Sequence, residues 1–346
     1  MKKVSLKDIA ERAGVSTTTV SFVLNGRATE KRISKGVIER VKKIVKELDY
    51  KPNQMARGLR TGKTKTLGLM VEDISNPFFA RLAKTIEDAA DQHGYEVIFC
   101  STEDDGKRAA RLLRMLHYRQ VDGYILTPTI CQEPEISQLL KETRPVVLVD
   151  RYFSQLPSHY VVVDNFQGAY LATEHLLNQG FKKIALVTTA SRQLQMEQRR
   201  EGFLQALRDK KARHAKQRAL TLPFNENPNT SLEAIRSFLK KAKPDAIFFS
   251  TNYLAIFGLQ VIKQLGWRIP EDIGLISFDD HDVFRLYDPP ITCVAQPISL
   301  IGQQVVSILM QTIHSKIKED LQQFVLEPEL IVRASCREQL PEGALS

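Results

Sequence analysis

Residues 5–26 read SLKDIAERAGVSTTTVSFVLNG, two short helical patterns either side of a glycine. Leu6, Ile9, Ala10 and Ala13 recur at helical spacing, and Ser5 stands ahead of them as an N-cap. Gly14 can take the positive φ of a sharp turn, and Val15 can plug the junction. Ser16 caps a second helix that turns Val20, Val23 and Leu24 inward. Its other face carries Thr17, Thr18, Ser21, Phe22 and Asn25. The spacing predicts a helix-turn-helix whose second helix is shaped for a major groove. A plain helical hairpin has the same periodicity, so charge must separate the two.

Charge is unevenly placed along the 346 residues. Residues 1–65 hold 17 Lys/Arg against 6 Asp/Glu, a charge of +11, and the remainder holds 32 against 34, a charge of −2. A basic head on a nearly neutral body reads as a polyanion-binding module joined to something else. The length exceeds a usual single domain. The start, MKKVSLKD, has no apolar stretch of signal-peptide type, and no run of about 20 apolar residues is present, so a soluble cytoplasmic protein without membrane association is expected. The four cysteines, Cys100, Cys131, Cys293 and Cys336, are far apart and form no C-x-x-C; buried reduced thiols are expected, and no metal.

The rest of the head continues the pattern. GRATEKR after the second helix offers Arg27, Lys31 and Arg32 to phosphates. Ser34 can cap a third helix with the apolar stripe Val37, Val41, Ile44, Val45 and Leu48, backed by Arg40, Lys42, Lys43 and Lys46. Pro52 stops that helix, and Asn53 can cap a short helix to about Arg60. So short a helix is not stable alone, and Gly58 weakens it by roughly 1 kcal/mol against alanine. Residues 51–65 are therefore read as a hinge and linker. Leu59, flanked by Arg57 and Arg60, suits a minor-groove wedge, and an ordinary linker leucine would look the same.

From Thr66 apolar runs alternate with helical patterns. Strands are expected at 66–71, 95–100, 122–127, 145–150, 160–164, 183–189, 218–222, 245–250 and 273–278. Helices are expected at 77–92, 106–118, 133–142, 167–179, 195–210, 230–241 and 252–265. Runs apolar on both faces belong in parallel sheets covered by helices. Two such series predict an α/β fold of two doubly wound subdomains, with ligands at the carboxyl ends of the strands and a cleft that closes by a hinge. At those ends stand Phe78, Phe79, Asp150, Arg151, Asp164, Asn252, Asp279 and Asp280, with Arg199 and Arg200 in a following helix. Carboxylates and guanidiniums converging there can hold hydroxyls, and N-caps or structural salt bridges would use the same residues. No P-loop, dinucleotide, zinc-protease or nucleophile-elbow motif is present, and the seven histidines are scattered, so no enzyme or cofactor is expected.

Taken together, LKDIAERAGVS, TVS.VLNG, Y.PN..AR.LRTG, NPFF, VVVDN, R..GF, IPEDIGLISFDD, PPIT.V.QP and LIVRASC resemble the lactose- and galactose-repressor (LacI/GalR) family of bacterial transcription regulators over almost the whole chain. The resemblance implies a helix-turn-helix head (1–50), a hinge (51–65) and a two-lobed core like periplasmic sugar-binding proteins (66–346). The lobes would comprise 66–162 with 296–322 and 163–295 with 323–340, joined by three crossings near 161–165, 291–297 and 321–326. It implies a homodimer on near-palindromic operator double-stranded DNA. The DNA-contact candidates are Ser5, Ser16, Thr17, Thr18, Thr19, Ser21, Phe22, Asn25, Arg27, Asn53, Ala56, Arg57 and Leu59. It also implies a small-molecule effector, a sugar or sugar phosphate, held by Phe78, Phe79, Asp150, Arg199, Thr251, Asn252 and Asp279. Phe22 departs from the arginine common at its position and, with TTTVSFVLNG and GRATEKRIS, is similar to the fructose-repressor branch. Thr251-Asn252 replaces the usual Asn-Asp pair, and no leucine-heptad tail follows Cys336, so no tetramer is expected. The reading is a ligand-responsive repressor of carbohydrate-related genes. The alternative is a periplasmic-type sugar-binding protein without DNA binding, against which the basic head argues.

Overall fold

The computed structural model describes residues 4–50, 63–210, 218–224, 226–315 and 320–336, divided into a head up to Thr64 and a core from Lys65. Asn53, Ala56, Arg57 and Leu59 lie outside the described residues.

The head contains α1 (Leu6–Ala13), α2 (Thr17–Leu24) and α3 (Lys35–Glu47). Ser5 forms a reciprocal capping box with Asp8, each accepting from the other's backbone N–H. Gly14 closes α1 with φ 65°, and Ser16 caps α2 by accepting from Thr19 N–H at 3.1 Å. Ile9, Ala13, Val20, Val23, Val41 and Ile44 form the buried centre. Leu24 is half-buried and packs against this centre. One expectation shifts: Ser34 precedes α3 without a side-chain capping bond.

The core is two six-stranded sheets. The first runs β11-β5-β4-β3-β1-β2 and contains β1 (Thr66–Val71), β2 (Glu96–Ser101), β3 (Gly123–Leu126), β4 (Val146–Val149), β5 (His159–Val163) and β11 (Gln323–Leu326), all parallel. Helices α4 (Pro77–Gln92) and α12 (Ile298–His314) supply apolar residues to one face; α5 (Gly106–Tyr118) and α6 (Glu133–Lys141) supply them to the other. The second sheet runs β12-β10-β9-β8-β6-β7, from β6 (Ile184–Ala190), β7 (Ala219–Pro223), β8 (Ala246–Phe249), β9 (Gly274–Phe278), β10 (Thr292–Ala295) and β12 (Glu329–Ile331), of which β12 is antiparallel to β10. Its two faces pack α7 (Asn165–Asn178) with α8 (Leu194–Asp209), and α9 (Pro228–Ala242) with α10 (Asn252–Leu265). A short α11 (Asp282–Leu286) follows β9.

The chain crosses between the sheets after β5, between β10 and α12, and between β11 and β12. The third crossing corrects the expected boundary. Residues 323–326 pair with β5 and belong to the first lobe, so the switch falls at Glu327-Pro328. The residues after 278 hold the elements that periodicity alone left unread, α11, β10, α12, β11 and β12. A second correction concerns the thiols: Cys100, Cys293 and Cys336 are buried, but Cys131 is exposed in the turn after β3.

Candidate functional site

The carboxyl ends of both sheets meet at a polar cavity of about 40 Å³. Phe78, Phe79, Asp150, Arg199, Thr251 and Asp279 line it together with Glu72, Asn76, Gln193, Gln195, Tyr253 and Gln296. Asn252 does not; it is buried one step away, donating through Nδ2 to Asn76 Oδ1 at 3.0 Å, a bond from one lobe to the other. Arg200 is exposed on the outer side of α8.

Each lobe places one carboxylate in the same way. Asp150 follows β4 and Asp279 follows β9, and each takes φ 69°. For a non-glycine residue that conformation costs about 1–2 kcal/mol and persists where surrounding structure fixes it. Asp279 Oδ1 accepts from Gln296 Nε2 at 2.6 Å, and Oδ2 lies 3.8 Å from Arg199 Nη1. Arg199 is itself held on three sides. Nε donates to Asn165 Oδ1 at 2.8 Å, Nη1 donates to the Ser250 carbonyl at 2.7 Å, and the guanidinium lies 3.6 Å above the Phe278 ring. Burial pushes the Asp150, Asp279 and Glu72 carboxyls up, opposed by the neighbouring guanidiniums, and pushes Arg199 down.

Residues that the motif left out complete the wall. Glu72, at the end of β1, accepts from Arg151 Nη2 at 2.5 Å, and the same buried arginine lies 3.6 Å from Asp150 and 3.7 Å from Asp104. Gln195 Nε2 donates to Gln193 Oε1 at 3.0 Å. That leaves Gln193 Nε2 and Gln195 Oε1, both buried, as an open donor and an open acceptor beside the cavity. Phe78 and Phe79 are edge-to-face at 4.9 Å and are shared between the cavity wall and the first lobe's core. Beyond Asn76, Phe224 and Tyr253 the cavity adjoins a larger vestibule of about 290 Å³. Arg81 on α4 and Asp282 on α11 form an ion pair at 2.5 Å between the lobes. Asp280 serves elsewhere: its carboxylate accepts from Arg333 at 2.9 and 3.0 Å and from Arg285 at 2.6 Å. Among the described residues no metal-binding cluster occurs, and no helix is long and apolar enough to cross a membrane.

On the head, Thr17 and Thr18 are exposed at the start of α2, whereas Ser16 and Thr19 are joined through their hydroxyls at 2.9 Å. Asn25 donates to the Ser21 carbonyl at 2.6 Å and hydroxyl at 3.2 Å, so these two are bound to each other. Phe22 is half-buried with Lys31 Nζ 5.5 Å from its ring centre. Ser5 is engaged in its capping box, and Arg27 pairs with Glu30 at 3.0 Å on the surface.

Comparison with known proteins gives matches over both parts. Residues 5–53 match the bacterial regulatory proteins of the lacI family, and residues 64–328 match the periplasmic binding proteins and sugar binding domain of the LacI family. The ribose operon repressor of Haemophilus influenzae is 32% identical over 338 residues, covering 96% of this chain and 98% of that protein. The HTH-type transcriptional repressor PurR of Aliivibrio fischeri is 32% identical, covering 97% and 99%. Among solved structures, a LacI family transcriptional regulator from Enterococcus faecium with bound ribose superposes with a TM-score of 0.70 at 30% identity, covering 79% of this chain and 98% of that one.

Proposed function

The chain belongs to the LacI family of bacterial regulatory proteins, and from that premise we propose that its interlobe cleft holds a small hydroxylated effector, a sugar or sugar phosphate. As a family member it is a DNA-binding transcriptional regulator that responds to a small molecule. The observation that carries the effector reading is the cavity's polar wall. Two buried carboxylates, one from each lobe, and the open amide ends of Gln193 and Gln195 offer acceptors and a donor beside the faces of Phe78 and Phe79. Vicinal hydroxyls satisfy such a wall, and a sugar's C–H face suits the rings. The ribose operon repressor and the ribose-bound regulator support that chemistry.

The reading extends to a cytoplasmic homodimeric repressor of carbohydrate-related genes on a near-palindromic operator, read by Thr17, Thr18 and Phe22, and without catalytic activity. Calorimetric titration with a panel of sugars, their phosphates and purines tests the effector. A sugar that binds and shifts operator affinity supports the reading. A purine that binds in place of every sugar overturns it.

A further inference from the structure

The charge around the cleft discriminates between the two effector chemistries. Cavity and vestibule together are walled by Glu72, Asp73, Glu103, Asp150, Glu226 and Asp279, against one guanidinium, Arg199, and no lysine among the described residues. The guanidiniums nearby are already matched. Arg199 lies against Asp279, Arg151 against Glu72, Asp150 and Asp104, and Arg108 against Glu103 at 2.5 Å. Two helix starts face the cleft without side-chain caps, those of α8 and α10. Each contributes only about half a positive charge, too little to balance the surplus carboxylates. A phosphate monoester carries close to two negative charges and needs free donors of opposite charge.

We infer that Asp73 and Glu226, at the vestibule, act as an electrostatic filter that admits an uncharged sugar to the cleft and rejects its phosphate ester. This deepens, and rests on, the reading of the cleft as a sugar site. Asp73 is fixed by accepting from Ser75 N–H at 2.8 Å and Ser75 Oγ at 2.6 Å, which holds its charge in place. Discrimination of this kind works by repelling the competitor, with no extra contact to the preferred ligand.

The test is calorimetric titration of the full chain, at near-physiological salt, with common pentoses and hexoses each paired with its phosphate monoester. At least one free sugar is expected to bind, and its phosphate to bind about 100-fold more weakly, the scale of several like-charge contacts in a partly buried cleft. The variant Asp73→Asn/Glu226→Gln is expected to keep the free sugar's affinity within about 2-fold while the phosphate recovers about 10-fold. A phosphate that binds as tightly as its parent sugar, or a gap unchanged in the double variant, overturns the filter and leaves the sugar site standing. Failure of every sugar and every phosphate to bind overturns the sugar-site reading and the filter with it.

Discussion

Asp279 and Arg199 stand 3.8 Å apart, yet they do different work. Asp279 has one oxygen satisfied by Gln296 and borders the cavity, so Asp279→Asn keeps the shape and removes charge from the ligand side. Effector affinity is expected to fall about 10- to 100-fold, a charged hydrogen bond's worth, with the melting temperature little changed. Arg199 is structural as well. Arg199→Ala leaves Asn165, the Ser250 carbonyl and Asp279 without their buried guanidinium partner, and is expected to cost about 3 kcal/mol or more of stability along with effector binding. Calorimetry and urea melts on both variants separate the roles. Asp280 gives a pH signature. Burial alone would push its carboxyl up, but the hydrogen bonds from Arg333 and Arg285 overcome this and hold it at about 2, below the ordinary 3.8. Its contribution is therefore complete above about pH 4 and is lost as pH falls through about 2. The stability gap between the wild type and Asp280→Asn should close over that window in acid urea titrations. Asp279 and Arg199 were legible because they sit in FDD and RREGF. Glu72, Gln193, Gln195 and Gln296 were not, because no local pattern marks them: Glu72 meets Arg151 across 79 positions.

At the scale of elements, the alternating strand and helix runs through residue 278 were readable and the elements after it were not. The strands through 278 fall within a residue of their runs, most of which are buried apolar stretches, although β2 and β7 are largely exposed or half-buried. β10 opens on a threonine, β12 has three residues and β11 alternates between exposed and half-buried, so hydropathy does not isolate them. The close approach of α7 and α8 was also hidden, although its signature is the glycine of RREGF. A Cβ on Gly202 would lie 2.1 Å from the Phe166 carbonyl oxygen and 3.0 Å from the Tyr170 nitrogen, both backbone atoms. Gly→Ala ordinarily stabilises a helix by up to about 1 kcal/mol. Here the helices must part, so Gly202→Ala is expected to lower stability by about 1–3 kcal/mol, read as a drop in melting temperature. A gain would mean that α8 can slide without loss. On α2 the question is what Phe22 reads. An arginine there can bind guanine O6 and N7 together, whereas Phe offers apolar contact such as a thymine methyl. Phe22→Arg is expected to change the preferred base at one position of each half-site. Selection from randomised operators decides it, and identical consensus sequences for both proteins would show that the ring does not reach the bases.

Across the whole molecule, charge divides the work: +11 on residues 1–65, −2 on the remainder, and a surplus of carboxylates around the cleft. The two binding events should therefore answer to salt in different ways. Cations on the head include the exposed Arg40, Lys42, Lys43 and Lys46 of the third helix, and those that meet DNA phosphates would displace counterions from them. Each phosphate neutralised adds about 0.9 to the slope of log affinity against log salt. Six to ten such contacts would weaken operator binding about 10³- to 10⁵-fold between 50 and 200 mM salt. An uncharged effector exchanges no counterions, so its affinity measured on the same protein should stay within about 2-fold over that range, because screening acts only on charged partners. The pairing of measurements matters more than either alone. A steep operator slope with a flat effector titration requires the charge asymmetry to be functional. A flat operator slope would remove the head's cations from the interface, and a steep effector titration would place a net charge on the ligand. Linkage adds a consistency check: at each salt, the factor by which effector changes operator affinity must equal the factor by which operator changes effector affinity. Filter-binding and calorimetry series at matched salt measure both factors, and any difference in operator salt slope between effector-free and effector-bound protein must then appear as a salt dependence of effector affinity on the operator-bound protein, while the titration of the free protein stays flat.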